Sequence, residues 1–307
     1  MHDRRFSPRR ELGRTGFVAT AVGLGDLADR SVPLEDCVTT LRRGLDAGPN
    51  VIDTAPSYED GYSERIVGAA LAGRPRDSVF VIDKVDHFDR PVARQIEDSL
   101  GRLGLAYCDL FVFHSVSTPE AWTRLLADGR FDELKACASR GMTRFTGISS
   151  HHPEVLRAAI PSGLCDVVLF PVGPFVDARY VEEILPLARQ HGVGSVCFKT
   201  FGGGKLLGNT AGYGQPLEPR PRGKLSSGGK SAETAEASPV LSVADCVRYT
   251  LTCDPDVALL GLSFTNEQDA AFAAAEGFAP YSTDELAEVR ERARLAVEGK
   301  GPCWWNP

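Results

Sequence analysis

The chain has 307 residues, of which 43% are hydrophobic and 24% are charged, and its formal net charge is −7 at pH 7. This composition excludes a largely disordered or fibrous chain, and the negative charge argues against a partner such as nucleic acid or an anionic membrane. No apolar run approaches the roughly 20 residues that span a bilayer, and no apolar stretch follows the basic N-terminus. We therefore expect neither a membrane anchor nor a secretory signal.

The eight cysteines are scattered along the chain, and none forms a C-x-x-C pair. This spacing argues against a zinc or iron–sulfur site, so we expect no bound metal, and a chain of this length rarely depends on disulfides. We interpret the cysteines as buried thiols of a cytoplasmic protein. They are Cys37, Cys108, Cys137, Cys165, Cys197, Cys246, Cys253 and Cys303.

Short β-rich runs recur along the whole chain. Several of them, such as VFVI and DLFVF, are continuously apolar, as is typical of parallel strands that are buried on both faces. The candidate strands are residues 21–25, 50–54, 79–84, 108–114, 144–149, 166–171, 194–199 and 257–261.

An amphipathic stretch follows each candidate strand. Eight such units predict a single (β/α)8 barrel, which we expect to span residues 11–307 after a flexible N-terminus of residues 1–10. A doubly wound sheet is the alternative, but eight units leave no second domain for it. The candidate helices are residues 35–46, 63–71, 92–103, 131–140, 153–160, 181–191, 243–252 and 267–276.

Other segments stand outside this alternation. Residues 7–18 resemble a short hairpin that could close the bottom of the barrel. Residues 202–239 form a long loop rich in Gly, Pro and Ser after the seventh strand, and we expect its first residues to close over a bound ligand. Residues 283–298 predict an extra C-terminal helix, and the two tryptophans of the tail GPCWWNP are expected to pack back on the body.

Polar residues follow three neighbouring candidate strands where each strand ends. In an α/β barrel these positions meet at one rim, which is where chemistry occurs. Each residue alone is more often structural, but their joint placement favours a catalytic site. The candidate catalytic residues are Asp53, Tyr58, Lys84 and His114.

Together these four side chains could act in proton transfer. A phenol has an ordinary pKa near 10, and a nearby ammonium such as Lys84 would lower the pKa of Tyr58 toward neutrality. Asp53 would keep the lysine charged, and His114 could orient a substrate oxygen. The product is a proton donor suited to carbonyl reduction, with hydride supplied by a cofactor.

The motifs that carry these residues resemble those of the aldo-keto reductase superfamily. They are NVIDTAPSYEDGYSERIVGAAL, VFVIDKVD, DLFVFHSV, MTRFTGISSHHPEVL and GVGSVCFKTFGGGKL. The resemblance covers nearly the whole chain and implies one (β/α)8 barrel that moves hydride between NAD(P)(H) and a carbonyl or alcohol. It implies Tyr58 as the general acid, Lys84 as the residue that tunes it, Asp53 as the partner of Lys84, and His114 as the residue that orients the substrate.

The resemblance also places the cofactor residues, with departures from the family pattern. Ser149 fits the serine that binds the nicotinamide amide, but Ser150 and Leu169 stand where asparagine and glutamine are usual. Leucine cannot bind the amide, so another group would have to anchor it. Phe198 either stacks on the nicotinamide or is plain core. The remaining candidates are Lys199, the glycine-rich turn Phe201, Gly202, Gly203, Gly204, Lys205 and Leu206, and, for the adenosine end, Ser263, Thr265, Glu267 and Gln268.

The sequence therefore predicts a cytoplasmic aldo-keto reductase that acts on an aldehyde, ketone or sugar. The alternative is a cofactor-binding regulatory or interaction subunit with little turnover. The adenosine loop carries no cation, so we expect weak discrimination between NADP(H) and NAD(H). Trp122 fits the pocket or the core equally well. His151 and His152 could approach the site from the loop after the fifth strand, but we interpret them as solvated. The substrate, the physiological direction and the oligomeric state stay open.

Overall fold

The computed structural model describes residues 6, 9–26, 28–207, 240–262, 265–299, 303, 305 and 306. Eight parallel strands close into a barrel, each paired with its neighbour in chain order and the last paired with the first. The predicted (β/α)8 barrel is confirmed. After the hairpin strands β1 (Arg10–Glu11) and β2 (Val18–Ala19), the barrel strands are β3 Val22–Leu24, β4 Val51–Asp53, β5 Phe80–Val85, β6 Cys108–Phe113, β7 Thr143–Ser149, β8 Val167–Pro171, β9 Gly194–Phe198 and β10 Val257–Leu260.

Helices follow the strands and cover the outside of the barrel. The predicted extra helix is present as α10, and a turn of π-helix, Tyr180–Ile184, runs into α7. The helices are α1 Leu34–Ala47, α2 Tyr62–Leu71, α3 Val92–Leu103, α4 Pro119–Ala127, α5 Arg130–Ser139, α6 Pro153–Ala159, α7 Leu185–Gln190, α8 Val243–Thr252, α9 Thr265–Glu276 and α10 Thr283–Val297.

The sequence prediction missed helix α4. It begins with a strong local signal, because the Thr118 hydroxyl accepts a hydrogen bond from the backbone N–H of Ala121 and Pro119 occupies the first turn. Its buried residues include Trp122, which packs edge-on against Phe131 of α5. Trp122 therefore belongs to the core and not to the pocket.

The N-terminal hairpin covers the bottom of the barrel, as predicted. Strands β1 and β2 pair antiparallel, and Leu12 between them is fully buried against the barrel interior. Gly13 has a φ of +53°, and a Cβ there would lie 2.2 Å from the backbone nitrogen of Gly194. Only glycine fits this close approach of the hairpin to β9.

The inside of the barrel is filled with apolar side chains that alternate along the strands. They make a dry floor that leaves only the carboxyl ends of the strands for polar groups. The strand members of this cluster are Val51, Phe80, Ile82, Leu110, Val112, Val167, Leu169, Val196, Val257 and Leu259.

The predicted flexible N-terminus and the long loop after residue 207 lie largely outside the described residues. The predictions for them therefore stay open, as do the domain limits. Within the N-terminus, Phe6 is buried against Phe272 with ring centroids 5.1 Å apart, and Arg10 begins β1.

A buried acid lies behind the rim, on the outer face of β5. One carboxylate oxygen of Asp83 accepts a hydrogen bond from the Lys84 backbone N–H at 2.8 Å, and the other has no partner among the described residues. Burial and the nearby Glu64 carboxylate raise the pKa of Asp83 well above its ordinary value. Arg102 is paired with Glu64, and the raised pKa keeps the proton on Asp83 in the folded protein.

The protonated Asp83 makes stability depend on pH. An unfolded Asp loses its proton near pH 4, whereas the folded Asp83 keeps its proton to a higher pH. As the pH rises from the unfolded pKa to the folded one, the free energy of unfolding should therefore fall by about 1.4 kcal/mol per pH unit. We expect Asp83→Asn to remove this fall, which urea unfolding across weakly acidic to alkaline pH would measure. Asp132→Asn, on the exposed face of α5, is the control. An equal slope in wild type and Asp83→Asn would contradict the assignment.

Candidate active site

The four candidate catalytic residues meet in one pocket at the carboxyl end of the barrel. Asp53 ends β4, Lys84 lies in β5, His114 directly follows β6, and Tyr58 lies in the loop after β4. All four line a cavity of about 570 Å³. The barrel topology therefore brings together residues that are up to 61 positions apart in sequence.

Lys84 is the centre of this group. Its ammonium donates hydrogen bonds to Asp53 Oδ1 and to the Thr54 carbonyl oxygen, both at 2.7 Å, and lies 4.4 Å from the centre of the Tyr58 ring. Only 2% of the lysine side chain is exposed. Burial opposes its charge, but Asp53 and Tyr58 outweigh burial and raise the pKa of Lys84. The lysine therefore stays a cation inside the site.

Tyr58 differs from its predicted state in one respect. Burial raises its pKa above the ordinary value, while Lys84 acts in the opposite direction and is outweighed. The predicted lowering by Lys84 is present, but the pKa of Tyr58 is raised overall, because the sequence does not show how deeply the phenol is desolvated. Tyr58 is consequently protonated and able to donate.

His114 has a partner that the sequence prediction missed. Its Nδ1 is hydrogen-bonded to Asp86, which lies two residues after Lys84. The imidazole stands edge-on to Tyr58, with ring centroids 5.7 Å apart and an interplanar angle of 81°. The signal in the sequence was the second acid of DKVD, just past the end of a barrel strand.

Several candidate cofactor residues line the same pocket. The Ser149 hydroxyl oxygen accepts a hydrogen bond from the Ser115 backbone N–H at 2.8 Å, and Leu169 is part of the apolar floor. The candidates that line the cavity are Ser149, Leu169, Phe198, Lys199, Phe201, Gly203 and Lys205.

Other candidates are not among the described residues that line this cavity. Ser150 is buried, and its hydroxyl accepts a hydrogen bond from the backbone N–H of His152 at 3.1 Å. Gly202 and Gly204 are buried in a short 3₁₀ turn, and Leu206 is buried in the core beneath it.

The adenosine-end candidates are placed by helix α9, whereas Ser263 lies outside the described residues. Thr265 begins α9 and is exposed, and Glu267 is buried. Gln268 is also buried and donates to the Thr40 carbonyl oxygen at 2.8 Å, so it ties α9 to α1. Arg43 of α1 donates to the Thr265 carbonyl oxygen at 3.1 Å, which is a cation near the start of α9 that the sequence prediction missed.

Two further aromatic residues belong to the pocket. His151 lines it, with its ring centroid 5.0 Å from that of Phe198, and burial lowers its pKa to about 3. The interpretation of His151 as solvated is therefore wrong. His152 is half-buried just before α6.

Trp305 is the second of these aromatic residues, and it packs back on the body as predicted, whereas Trp304 lies outside the described residues. The Trp305 indole N–H donates to the Phe175 carbonyl oxygen at 3.1 Å, and 2% of the residue is exposed. The ammonium groups of Lys199 and Lys205 lie 5.2 and 5.7 Å from its ring centre. Trp305 thus forms part of the wall of the pocket.

Comparison with known proteins identifies the family. The sequence model of the aldo/keto reductase family matches residues 20–294. The chain belongs to this family. An NADH-specific methylglyoxal reductase of Escherichia coli (strain K12) is 29% identical over 219 residues, which cover 64% of this chain and 66% of that protein. An L-galactose dehydrogenase of Arabidopsis thaliana is 28% identical over 239 residues, which cover 73% of each chain.

Solved aldo-keto reductases share the fold. The holo form of AKR11C1 from Bacillus halodurans superposes with a TM-score of 0.70 at 22% identity, covering 95% of this chain and 98% of that one. An aldo/keto reductase from Klebsiella pneumoniae in complex with NADP and acetate gives 0.67 at 21% identity, covering 94% and 95%. Within the described part of the chain, no cluster of three or more His, Cys, Asp or Glu could hold a metal ion, and no helix is long and apolar enough to cross a membrane.

Proposed function

We propose that this aldo-keto reductase uses NAD(P)(H) to move hydride between the nicotinamide ring and a small carbonyl, alcohol or sugar. The observation that carries the proposal is the buried Lys84 ammonium, held by Asp53 at 2.7 Å and set against the Tyr58 ring in an open pocket. The relatives named for methylglyoxal and L-galactose support small polar substrates. Asp26 and Ser115 add polar groups to the lining.

The pocket also fits the cofactor. Phe198 offers a half-buried ring for the nicotinamide, and Lys199 and Lys205 bring cations suited to a diphosphate. The Thr200 hydroxyl is buried in the pocket lining with no hydrogen-bond partner among the described residues, so a ligand oxygen would satisfy it. Gly203 has a φ of +62° and no Cβ between backbone and cavity, which lets a ligand approach closely.

Side chains of the site carry out the proton transfer. When bound, the reduced cofactor supplies hydride, which no side chain can do. Tyr58 donates its hydroxyl proton to the substrate oxygen, and the Lys84 ammonium stabilises the phenolate that remains. Asp53 fixes the lysine in place, and the apolar floor at Leu169 keeps water away from the reacting atoms.

We expect the protein to discriminate weakly between the two cofactors. Thr265 offers only a hydroxyl for a 2′-phosphate, and Arg43 nearby is already paired with Asp269 at 2.5 Å. Dissociation constants for NADPH and NADH, measured at one salt concentration, should therefore agree within about tenfold, or about 1.4 kcal/mol. A preference for NADPH beyond a hundredfold would contradict this, and Arg43→Ala would then show whether Arg43 is responsible.

A panel of aldehydes, ketones and sugars tests the proposal. We expect at least one member to be reduced, or its alcohol oxidised, with NADPH or NADH as the partner. Cofactor binding without turnover on any member would contradict the proposal and favour a regulatory subunit. We also infer a cytoplasmic location, which is supported by the eight cysteines being thiols and not disulfides.

A further inference from the structure

Asp86 lies just past the end of β5, and both of its carboxylate oxygens are held. Oδ1 is hydrogen-bonded to Nδ1 of His114, and Oδ2 accepts a hydrogen bond from the Ser57 backbone N–H at 2.8 Å. Only 10% of the Asp86 side chain is exposed. Because Ser57 directly precedes Tyr58, one carboxylate links the imidazole to the segment that carries the proton donor.

This arrangement fixes where the hydrogen of His114 lies. Burial opposes ionisation of Asp86, but hydrogen bonds from His114 and Ser57 outweigh burial and lower its pKa. An ionised carboxylate can only accept, so the hydrogen between the two groups belongs to Nδ1. A neutral imidazole carries a single hydrogen, and Nε2 of His114 is therefore left as a bare acceptor in a residue that lines the pocket.

The charges around His114 keep it neutral near neutral pH. Burial lowers its pKa most, and Lys84 acts in the same direction. Asp86 and Asp53 act in the opposite direction and are outweighed, so the pKa of His114 lies below its ordinary value. Its other ionisable neighbours, the protonated Tyr58 and the neutral His151, add no charge of their own.

We propose that Asp86 is a positioning residue that makes the pocket-facing nitrogen of His114 a proton acceptor, and that this suits the site to the oxidation of alcohols. The inference rests on the proposed function. The substrate C–H bond breaks and its electron pair passes as hydride to the oxidised nicotinamide, while the C–O single bond becomes C=O. The hydroxyl proton passes to Tyr58 as Tyr58 gives its own proton to Nε2, and Asp86 stabilises the imidazolium that forms.

The position of the hydrogen can be measured without cofactor or substrate. Nitrogen-15 NMR of histidine-labelled protein distinguishes the two neutral tautomers, and His114→Gln identifies the resonances. We expect wild type to carry the hydrogen on Nδ1 and Asp86→Ala to carry it on Nε2. Asp89→Ala, an exposed acid on the same loop, should change nothing. A wild-type hydrogen on Nε2, or an unchanged tautomer in Asp86→Ala, would overturn the proposal.

A second variant tests the same proposal if Asp86→Ala does not fold. Asp86→Asn retains the shape but loses the charge, so the pKa of His114 followed by NMR should fall by about one unit or more. The pH dependence of kcat can be measured with a substrate pair from the panel. As His114 loses its proton, kcat for oxidation should rise and kcat for reduction should fall. In Asp86→Asn both pH profiles should shift to lower pH. Unshifted profiles would overturn the proposal. Absence of turnover on the whole panel would contradict the proposed function, while the NMR result decides the role of Asp86 independently.

Discussion

Replacing Tyr58 with phenylalanine is expected to lower turnover at saturating substrate by at least about 100-fold, the usual contribution of a general acid. The phenol is the protonated group in the pocket that stands beside the buried Lys84 ammonium, 4.4 Å from its ring centre. The ring itself is kept in Tyr58→Phe, so packing against Lys84 and His114 should survive. Steady-state kinetics together with the dissociation constant for NADPH would measure both effects, and the cofactor affinity should change little.

A matched control lies four residues further along the chain. The Tyr62 hydroxyl donates to the Val32 carbonyl oxygen at 2.9 Å, and Tyr62 is not among the described residues that line the pocket. Tyr62→Phe removes the same atom and should leave turnover within a few-fold of wild type. Near-normal turnover in Tyr58→Phe would show that another group is the acid.

Replacing Lys84 with methionine is expected to damage both stability and turnover. Loss of the ammonium leaves the buried Asp53 carboxylate without its cation, and breaking a buried pair in this way typically costs about 3–5 kcal/mol. Turnover should also fall at least about 100-fold, because the phenolate formed during proton transfer loses its stabilising charge. Urea unfolding and steady-state kinetics measure the two losses separately.

A double variant separates the structural loss from the chemical one. Lys84→Met combined with Asp53→Asn has no buried charge left at this position, so it should regain much of the stability. It should not regain turnover, because the cation is still missing. Recovery of turnover in the double variant would show that Lys84 acts only by compensating Asp53. Lys135→Met, on the exposed face of α5, controls for the loss of a positive charge.

The barrel and the catalytic group could be predicted because they depend on short-range patterns. Continuously apolar runs indicate buried parallel strands, and the ends of such strands meet at one rim wherever the barrel closes. Asp53, Lys84 and His114 were therefore predictable as neighbours from their positions at strand ends alone. Tyr58 came from the resemblance of its motif as much as from its place after a strand.

The remaining features depend on contacts that the sequence pattern does not show. Trp305 lines the pocket although it lies far from the barrel strands in sequence, and His151 lines it with its ring against that of Phe198. The sequence does not distinguish Asp86 from the other acidic residues, because its role depends on the hydrogen bond to His114 that the loop after β5 makes possible. The raised pKa of Tyr58 depends on the depth of burial, which is a property of the packed pocket.

Single-turnover reduction tests the central claim most directly. The protein is saturated with NADPH, mixed with members of the carbonyl panel, and followed at the absorbance band of reduced nicotinamide. We expect one equivalent of reduced cofactor per protein to disappear with at least one carbonyl, and the rate to be at least about 100-fold slower in Tyr58→Phe. Tight binding of NADPH with an unchanged absorbance for every carbonyl, or equal rates in wild type and Tyr58→Phe, would contradict the account.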